Sequence, residues 1–169
     1  MKFPKDILVV DFEGFNDSPT QIGAVLLDKE TLVEKDSFSS YIHANNVTTS
    51  KVTGISQETL AEAPSQAEVG KMIYEKFGTD FFFAYFVGDL DIRFFKTILK
   101  AAEIKFSNYD YHTIDIWSLA YIHLLKQGYE GGLRSEEIFQ TFGGKPRGLH
   151  DALEDCRLAA DVLRKIILV

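Results

Sequence analysis

The most restrictive feature of the chain is Ile7 to Val10, a continuous apolar run rich in β-branched residues that stops abruptly at Asp11-Phe12-Glu13. Residues that all seek burial cannot alternate between core and water, so a strand made of them must be covered on both faces. Such a strand lies in the middle of a sheet with helices layered on either side. Asp11 and Glu13 then stand at the end of that strand on one face, while Phe12 turns to the other. Adjacent anions at a buried strand end repel each other and lose hydration, a cost that a divalent cation removes, and carboxylate oxygens suit magnesium or manganese. The competing reading is a solvated turn, since Gly14, Asn16, Asp17, Ser18 and Pro19 follow at once.

The rest of the chain supplies the layers. Ile22 to Leu27 and Leu32 to Ile42 read as the next two strands of a meander. Ser65-Gln66-Ala67-Glu68 is a capping box that opens a helix ending near Gly78. Phe81 to Phe86 is a fourth strand, after which Ile92, Phe95, Leu99 and Ala102 recur at helical spacing. Tyr111 to Ile114 reads as a short fifth strand feeding a helix that contains Trp117 and Leu124. Leu153, Cys156, Ala160, Leu163 and Ile167 form the last helical stripe. The order β-β-β-α-β-α-β-α-α predicts an α/β domain with a mixed sheet, and 169 residues without repeats or linkers suit a single domain over 1–169.

Composition narrows the function. A net charge of −7 argues against a broad basic surface for nucleic acid, so any such contact is expected to be short and local, with bound cations supplying positive charge. The single cysteine, Cys156, excludes an internal disulfide and a cysteine-built zinc site, which favours a reducing, cytoplasmic setting. The opening MKFPKDILVV lacks the apolar core of a signal peptide, and no apolar run reaches the ~18 residues of a membrane span, so no membrane association is expected.

Two further acidic segments join the first. Asp91 lies in Gly88-Asp89-Leu90-Asp91-Ile92-Arg93-Phe94-Phe95 at the start of a helix, where an aspartate either caps the helix or complements its positive end. Asp89 is assigned as the cap and Asp91 as a ligand, with the reverse assignment open. His150 and Asp155 flank the start of the C-terminal helix in Gly148-Leu149-His150-Asp151-Ala152-Leu153-Glu154-Asp155. A separation of five residues turns ~500° around a helix, so His150 is expected at or before the first turn. Asp155 lies beside the apolar stripe, where an unpaired carboxylate is unusual, although Asp151, Glu154 and Asp155 also suit the positive helix end.

In this order and spacing the segments resemble the DEDDh branch of the DnaQ-like exonuclease superfamily. Its motifs are a D-x-E on the first strand, a middle aspartate in F-D-x-x-F-L, and H-x-x-x-x-D, matched here by Asp11-Phe12-Glu13, by Leu90-Asp91-Ile92-Arg93-Phe94-Phe95, and by His150 through Asp155. Gln21-Ile22-Gly23-Ala24-Val25 is similar to the family's second strand and Val52-Thr53-Gly54-Ile55 to its turn after the third. Phe86 and Val87 depart from the family, many of whose members carry His-Asn there. Asp151 stands where the other branch has tyrosine, which places the chain in the histidine branch.

The resemblance implies a ribonuclease H-like fold, a mixed five-stranded sheet flanked by helices. It implies a 3′-5′ exonuclease acting on single-stranded DNA or RNA 3′ ends and releasing nucleoside 5′-monophosphates. Asp11, Glu13, Asp91 and Asp155 would hold two divalent ions, Mg2+ or Mn2+, whose charge balances the four carboxylates. His150 would be the general base. Gly14 and Phe15 would approach the terminal nucleotide, with Phe15 either stacked on a base or packed inward. Relatives are commonly dimers, which makes a homodimer an expectation as well. Lys145 and Arg147 read as a small basic cluster that touches a phosphate or is simply a solvated loop. Asp115 is expected to cap a helix, or to support the site from behind. Two other readings compete: a helical HD-type phosphohydrolase, which His150-Asp151 suggests but His43, His112 and His123 match poorly, and a non-catalytic interaction module that retains the exonuclease fold.

Overall fold

The computed structural model describes residues 3–15, 18–45 and 51–168, with Phe15 described in its backbone alone. Five strands form one mixed sheet: β1 (Asp6–Phe15), β2 (Ser18–Leu27), β3 (Glu34–Tyr41), β4 (Phe81–Tyr85) and β5 (Thr113–Asp115). Their order is β3-β2-β1-β4-β5, with β1, β2 and β3 antiparallel and β4 and β5 parallel to β1 and to each other. The helices are α1 (Gln57–Glu62), α2 (Gln66–Phe77), α3 (Gly88–Ala101), α4 (Ile116–Lys126), α5 (Ser135–Thr141) and α6 (Ala152–Ile167). No helix among the described residues is long and apolar enough to cross a membrane.

The apolar run from Ile7 to Val10 occupies the centre of the sheet, as its composition requires, and each of its residues is at most 1% exposed. Successive side chains feed two separate cores. Ile7 and Val9 join Val25 and Leu27 under α4, α5 and α6, whereas Leu8, Val10 and Phe12 join Ile22, Ala24 and the aromatic cluster of Phe81, Phe83, Phe94 and Phe95 under α2 and α3. Each of these large side chains withdrawn from water contributes roughly 1.5 to 3 kcal/mol. α2 opens with the expected capping box, in which the Ser65 hydroxyl accepts from the Glu68 N–H and the Glu68 carboxylate accepts from the Ser65 N–H. It closes at Gly78, whose φ of 66° belongs to the left-handed region.

Several boundaries differ from the sequence reading. β1 does not end at the carboxylates: it continues through a bulge between Glu13 and Gly14 to Phe15, which pairs with Ser18. The hairpin ladder thus overrides the turn-forming composition after Glu13, because strand pairing satisfies backbone groups that a free turn would leave to water. Two helices were not anticipated. α1 buries only Leu60 and α5 only Ile138 and Phe139, so neither is long enough to show a periodic stripe. β5 begins at Thr113 rather than Tyr111, and Tyr111 is 83% exposed.

Candidate active site

The alternation that buries Ile7 and Val9 beneath α6 carries Asp11 and Glu13 onto that same face. Opposite them on β2 stand Gly23, paired with Asp11, and Gln21, paired with Glu13. Gly23 is the residue that lets α6 begin here. A Cβ at this position would lie 2.3 Å from the carbonyl carbon and oxygen of Ala152 and 2.4 Å from the Leu153 nitrogen, so the helix backbone rests directly on the strand. Gln21, 3% exposed, fixes the same junction: its Nε2 donates to Asp151 Oδ2 at 2.8 Å and its Oε1 accepts from the Ala152 N–H at 3.3 Å. Asp151 is the N-cap of α6, its Oδ1 accepting from the N–H groups of Leu153 and Glu154 at 3.1 Å each. Glu154 is exposed and pairs with Arg157 at 2.6 Å. Asp155, one turn on, is buried at 6% exposure and faces the carboxylates of β1.

His150 lies just before the cap, outside the helix, as the spacing to Asp155 requires. Its backbone N–H donates to Val52 O at 2.8 Å, so the turn that contains Gly54 holds the histidine segment in place. Its Nδ1 lies 3.5 Å from Glu13 Oε1 and 3.7 Å from Asp155 Oδ2. One potential ligand atom from each of Glu13, His150 and Asp155 falls within 4.8 Å of the others.

Asp91 comes from the opposite side of the sheet. It is 3% exposed, and its Oδ1 accepts from the Phe12 N–H at 3.1 Å, which ties the first turn of α3 to β1 between the two carboxylate positions. The assignment of Asp89 as the helix cap is corrected: the N-cap is Val87, with no side-chain cap bond, and Asp89 sits exposed inside the first turn. Two residues on a helix are ~200° apart, so when Asp91 faces β1, Asp89 must face away. Phe86 packs in the core on Phe139, ring centroids 4.3 Å apart, and Val87 is 56% exposed, so neither position brings a polar group to the site. Gly14 is exposed and lies against the Phe94 ring, where a Cβ would come within 2.5 Å of Phe94 Cε2. The side chain of Phe15 lies outside the described residues.

The electrostatics of the cluster are those of crowded anions. Loss of hydration, followed by the charges of Asp91, Asp155 and Glu13, pushes the Asp11 carboxyl well above the usual range. Burial and the charge of Asp155 raise Glu13 to about 7. Burial raises Asp91 to about 8 against the opposing hydrogen bond from the Phe12 N–H, with Glu13 adding to the rise. Asp155 is raised as well, since its burial outweighs the stabilising charges of Arg147 and His150. Carboxylates that resist ionisation through burial and mutual repulsion, with one imidazole beside them, form a hard oxygen-rich donor set that suits a divalent cation.

Arg147 was the residue the sequence concealed. Read as half of a basic loop cluster with Lys145, it instead turns inward at 12% side-chain exposure, its Nη1 donating to Asp155 Oδ2 at 2.5 Å and its Nε to Glu136 Oε2 at 2.7 Å. Lys145 is exposed. Nothing in GGKPRG distinguishes the two cations; the partners of Arg147 lie on α5 and α6 and meet only in the fold. Residues Gly143 to Leu149 border a cleft of about 460 Å³ whose wall also includes Asp151 and Asp155. Asp115 caps α4, accepting from the Ser118 N–H at 3.0 Å and from its hydroxyl at 2.8 Å. His112 bonds Asp110, His123 bonds Gln127 and His43 approaches Ala61 O, so none of these histidines joins His150 as an HD-type centre requires.

Several solved structures share the fold. The nuclease domain of 3′hExo, a DEDDh family member bound to rAMP, superposes with a TM-score of 0.73 at 20% identity, covering 97% of this chain and 92% of that one. E. coli Exonuclease I in complex with a dT13 oligonucleotide superposes with a TM-score of 0.78 at 17% identity, covering 96% of this chain and 41% of that one. A 3′-exonuclease that recognises the histone mRNA stem-loop 3′ end gives 0.73 at 18% identity, with 97% of this chain and 64% of that one covered. At these identities the likeness is one of fold, and the chain spans about 40% of the length of the Exonuclease I chains. No match was found among curated protein sequences. The family model for the RNase T exonucleases matches residues 8–163, which contain every residue of the acidic cluster. The chain therefore belongs to the RNase T exonuclease family, with the DnaQ-like, ribonuclease H-like fold.

Proposed function

We propose that the protein is a metal-dependent 3′-5′ exonuclease that shortens single-stranded DNA or RNA from the 3′ end and releases nucleoside 5′-monophosphates. The observation that carries this reading is the convergence of Asp11 and Glu13 from β1, Asp91 from α3, His150 from the segment before α6 and Asp155 from its first turn around one acidic centre. Asp11, Glu13, Asp91 and Asp155 are the residues that would hold two divalent cations, Mg2+ or Mn2+. When bound, such ions neutralise the carboxylates and supply the Lewis acidity that activates water and stabilises charge on a phosphodiester.

The chain's own residues do the remainder. His150 is the general base: its side chain is 34% exposed and thus open to an incoming water, and its Nδ1 lies 3.5 Å from Glu13 and 3.7 Å from Asp155, at the edge of the cluster where that water would be activated. Because His150 is fixed through its backbone to Val52 and not through its ring, the imidazole can adjust when substrate arrives. Asp91 stays aligned through its bond to the Phe12 N–H, and Gln21 with Asp151 fixes where α6 begins, which sets the position of Asp155. Gly14 and Phe15, at the bulged end of β1, would approach the terminal nucleotide.

The test is incubation of purified protein with 5′-labelled single-stranded DNA and RNA oligonucleotides in Mg2+, in Mn2+ and in chelator. The expected result is a metal-dependent ladder that shortens from the 3′ end, with the faster substrate identifying the preferred sugar. Oligonucleotides left intact under every metal condition would overturn the proposal and favour a non-catalytic module.

A further inference from the structure

Arg147 engages one oxygen of Asp155, a residue that would hold a metal ion. Its Nη1 lies 2.5 Å from Oδ2, and the same oxygen faces His150 Nδ1 at 3.7 Å. The guanidinium is held from behind. Its Nε donates to Glu136 Oε2 at 2.7 Å, its backbone N–H donates to Glu136 Oε1 at 3.2 Å, and its Cζ lies over the Phe139 ring, 5.1 Å from the centroid. A cation serving only a solvated loop would remain hydrated, whereas this one is enclosed between α5 and α6. A carboxylate whose charge is already offset by a guanidinium attracts a second cation less strongly, and the two cations repel each other.

We propose that Arg147 is a resident counter-cation of the acidic cluster: it offsets the charge of Asp155 until a divalent ion binds, and such an ion gains Oδ2 only when the guanidinium releases it. The proposal rests on the metal-site reading above and adds a regulator to it. The reach of Arg147 extends past its direct partner, since its charge also acts on Asp11 and Glu13 and opposes the repulsion among the carboxylates. It therefore serves two ends, offsetting the repulsion among the carboxylates and lowering the affinity for the ion that shares Asp155. The released guanidinium remains tethered through Glu136, so metal occupancy is communicated to α5 and to the 143–149 segment that borders the cleft. A singly charged group and a divalent ion about 4 Å apart repel strongly enough, even at the dielectric of bulk water, to change affinity at least about tenfold.

The experiment titrates Mn2+ calorimetrically into the chelator-stripped full chain, as wild type, Arg147→Gln and Arg147→Lys. Arg147→Gln is expected to bind at least about tenfold more tightly at its weaker site and to show a larger Mn2+-dependent rise in melting temperature. Arg147→Lys, which keeps the charge, should stay close to wild type. Equal or weaker binding by Arg147→Gln would overturn the proposal. Should that variant fold only with metal, the wild-type protein labelled with 15N-arginine decides the matter. Its Arg147 Nε–Hε resonance, identified by its absence in Arg147→Lys, must move as Mg2+ saturates the site, and an unmoved resonance would refute the release of Asp155. If neither ion binds any form, the metal-site reading itself fails; if wild type and Arg147→Gln bind equally, only the role of Arg147 is lost.

Discussion

Replacing Gly23 by alanine tests how closely the active-site geometry depends on the contact between β2 and α6. The added Cβ would lie 2.3 Å from the Ala152 carbonyl carbon and oxygen. Ordinary contact needs roughly 3.4 Å or more, so α6 must retreat by about 1 Å, because a helix backbone cannot rotate aside as a side chain can. Overpacking of this kind costs about 1 to 3 kcal/mol, which for a chain of this size lowers the melting temperature by roughly 3 to 10 °C. The same retreat carries the His150 segment and Asp155 away from Asp11 and Glu13, and misplacement by about 1 Å at a reacting centre can reduce turnover ~10²-fold. The paired assays are thermal melting in chelator and kcat/KM on a single-stranded oligonucleotide in Mn2+. Gly148→Ala is the control, since a Cβ there meets nothing within 4 Å, and its melting temperature should be unchanged or slightly raised. A Gly23→Ala protein with wild-type stability and turnover would refute the argument that this glycine positions α6.

Three further outcomes are expected. Glu13 at about 7 and Asp91 at about 8 lie above their ordinary values of 4.5 and 3.8, so the metal-free fold favours their protonated forms. Their contribution is fully present below the ordinary carboxylate range and is lost as pH rises through the folded values, so the chelated protein should melt progressively lower between about pH 5 and pH 8.5, and Mn2+ should flatten that decline. A melting temperature in chelator that climbs across this interval would contradict the crowded-anion account. His150→Ala should lose ~10² to 10⁴-fold in turnover while calorimetry still detects Mn2+, and full activity in that variant would remove the base assignment. Ser65→Ala deletes the α2 capping box far from the acidic cluster; it should cost about 1 kcal/mol, or roughly 2 to 4 °C, with kcat unchanged on the oligonucleotide assay.

The sequence by itself determined the central strand, because Ile7 to Val10 can be satisfied only by cover on both faces, and with it the placement of Asp11 and Glu13 on one side. It also determined that His150 precedes α6, since helical geometry forbids His150 and Asp155 from converging within one helix. These are local consequences of periodicity and are carried by a few neighbouring residues. Tertiary structure decided what depends on distant partners. Asp91 rather than Asp89 entered the cluster because α3 begins at Gly88, a boundary set by the end of β4 and not by a capping side chain. Gly23 and Gln21 became the seat of α6 only when β2 came to lie beneath its first turn, more than a hundred residues away in the chain. Arg147 and Lys145 are chemically alike in sequence, yet Arg147 is enclosed while Lys145 remains in water, because Glu136, Phe139 and Asp155 meet around only one of them. Burial and charge pairing are properties of the assembled layers, and no pattern confined to one segment encodes them.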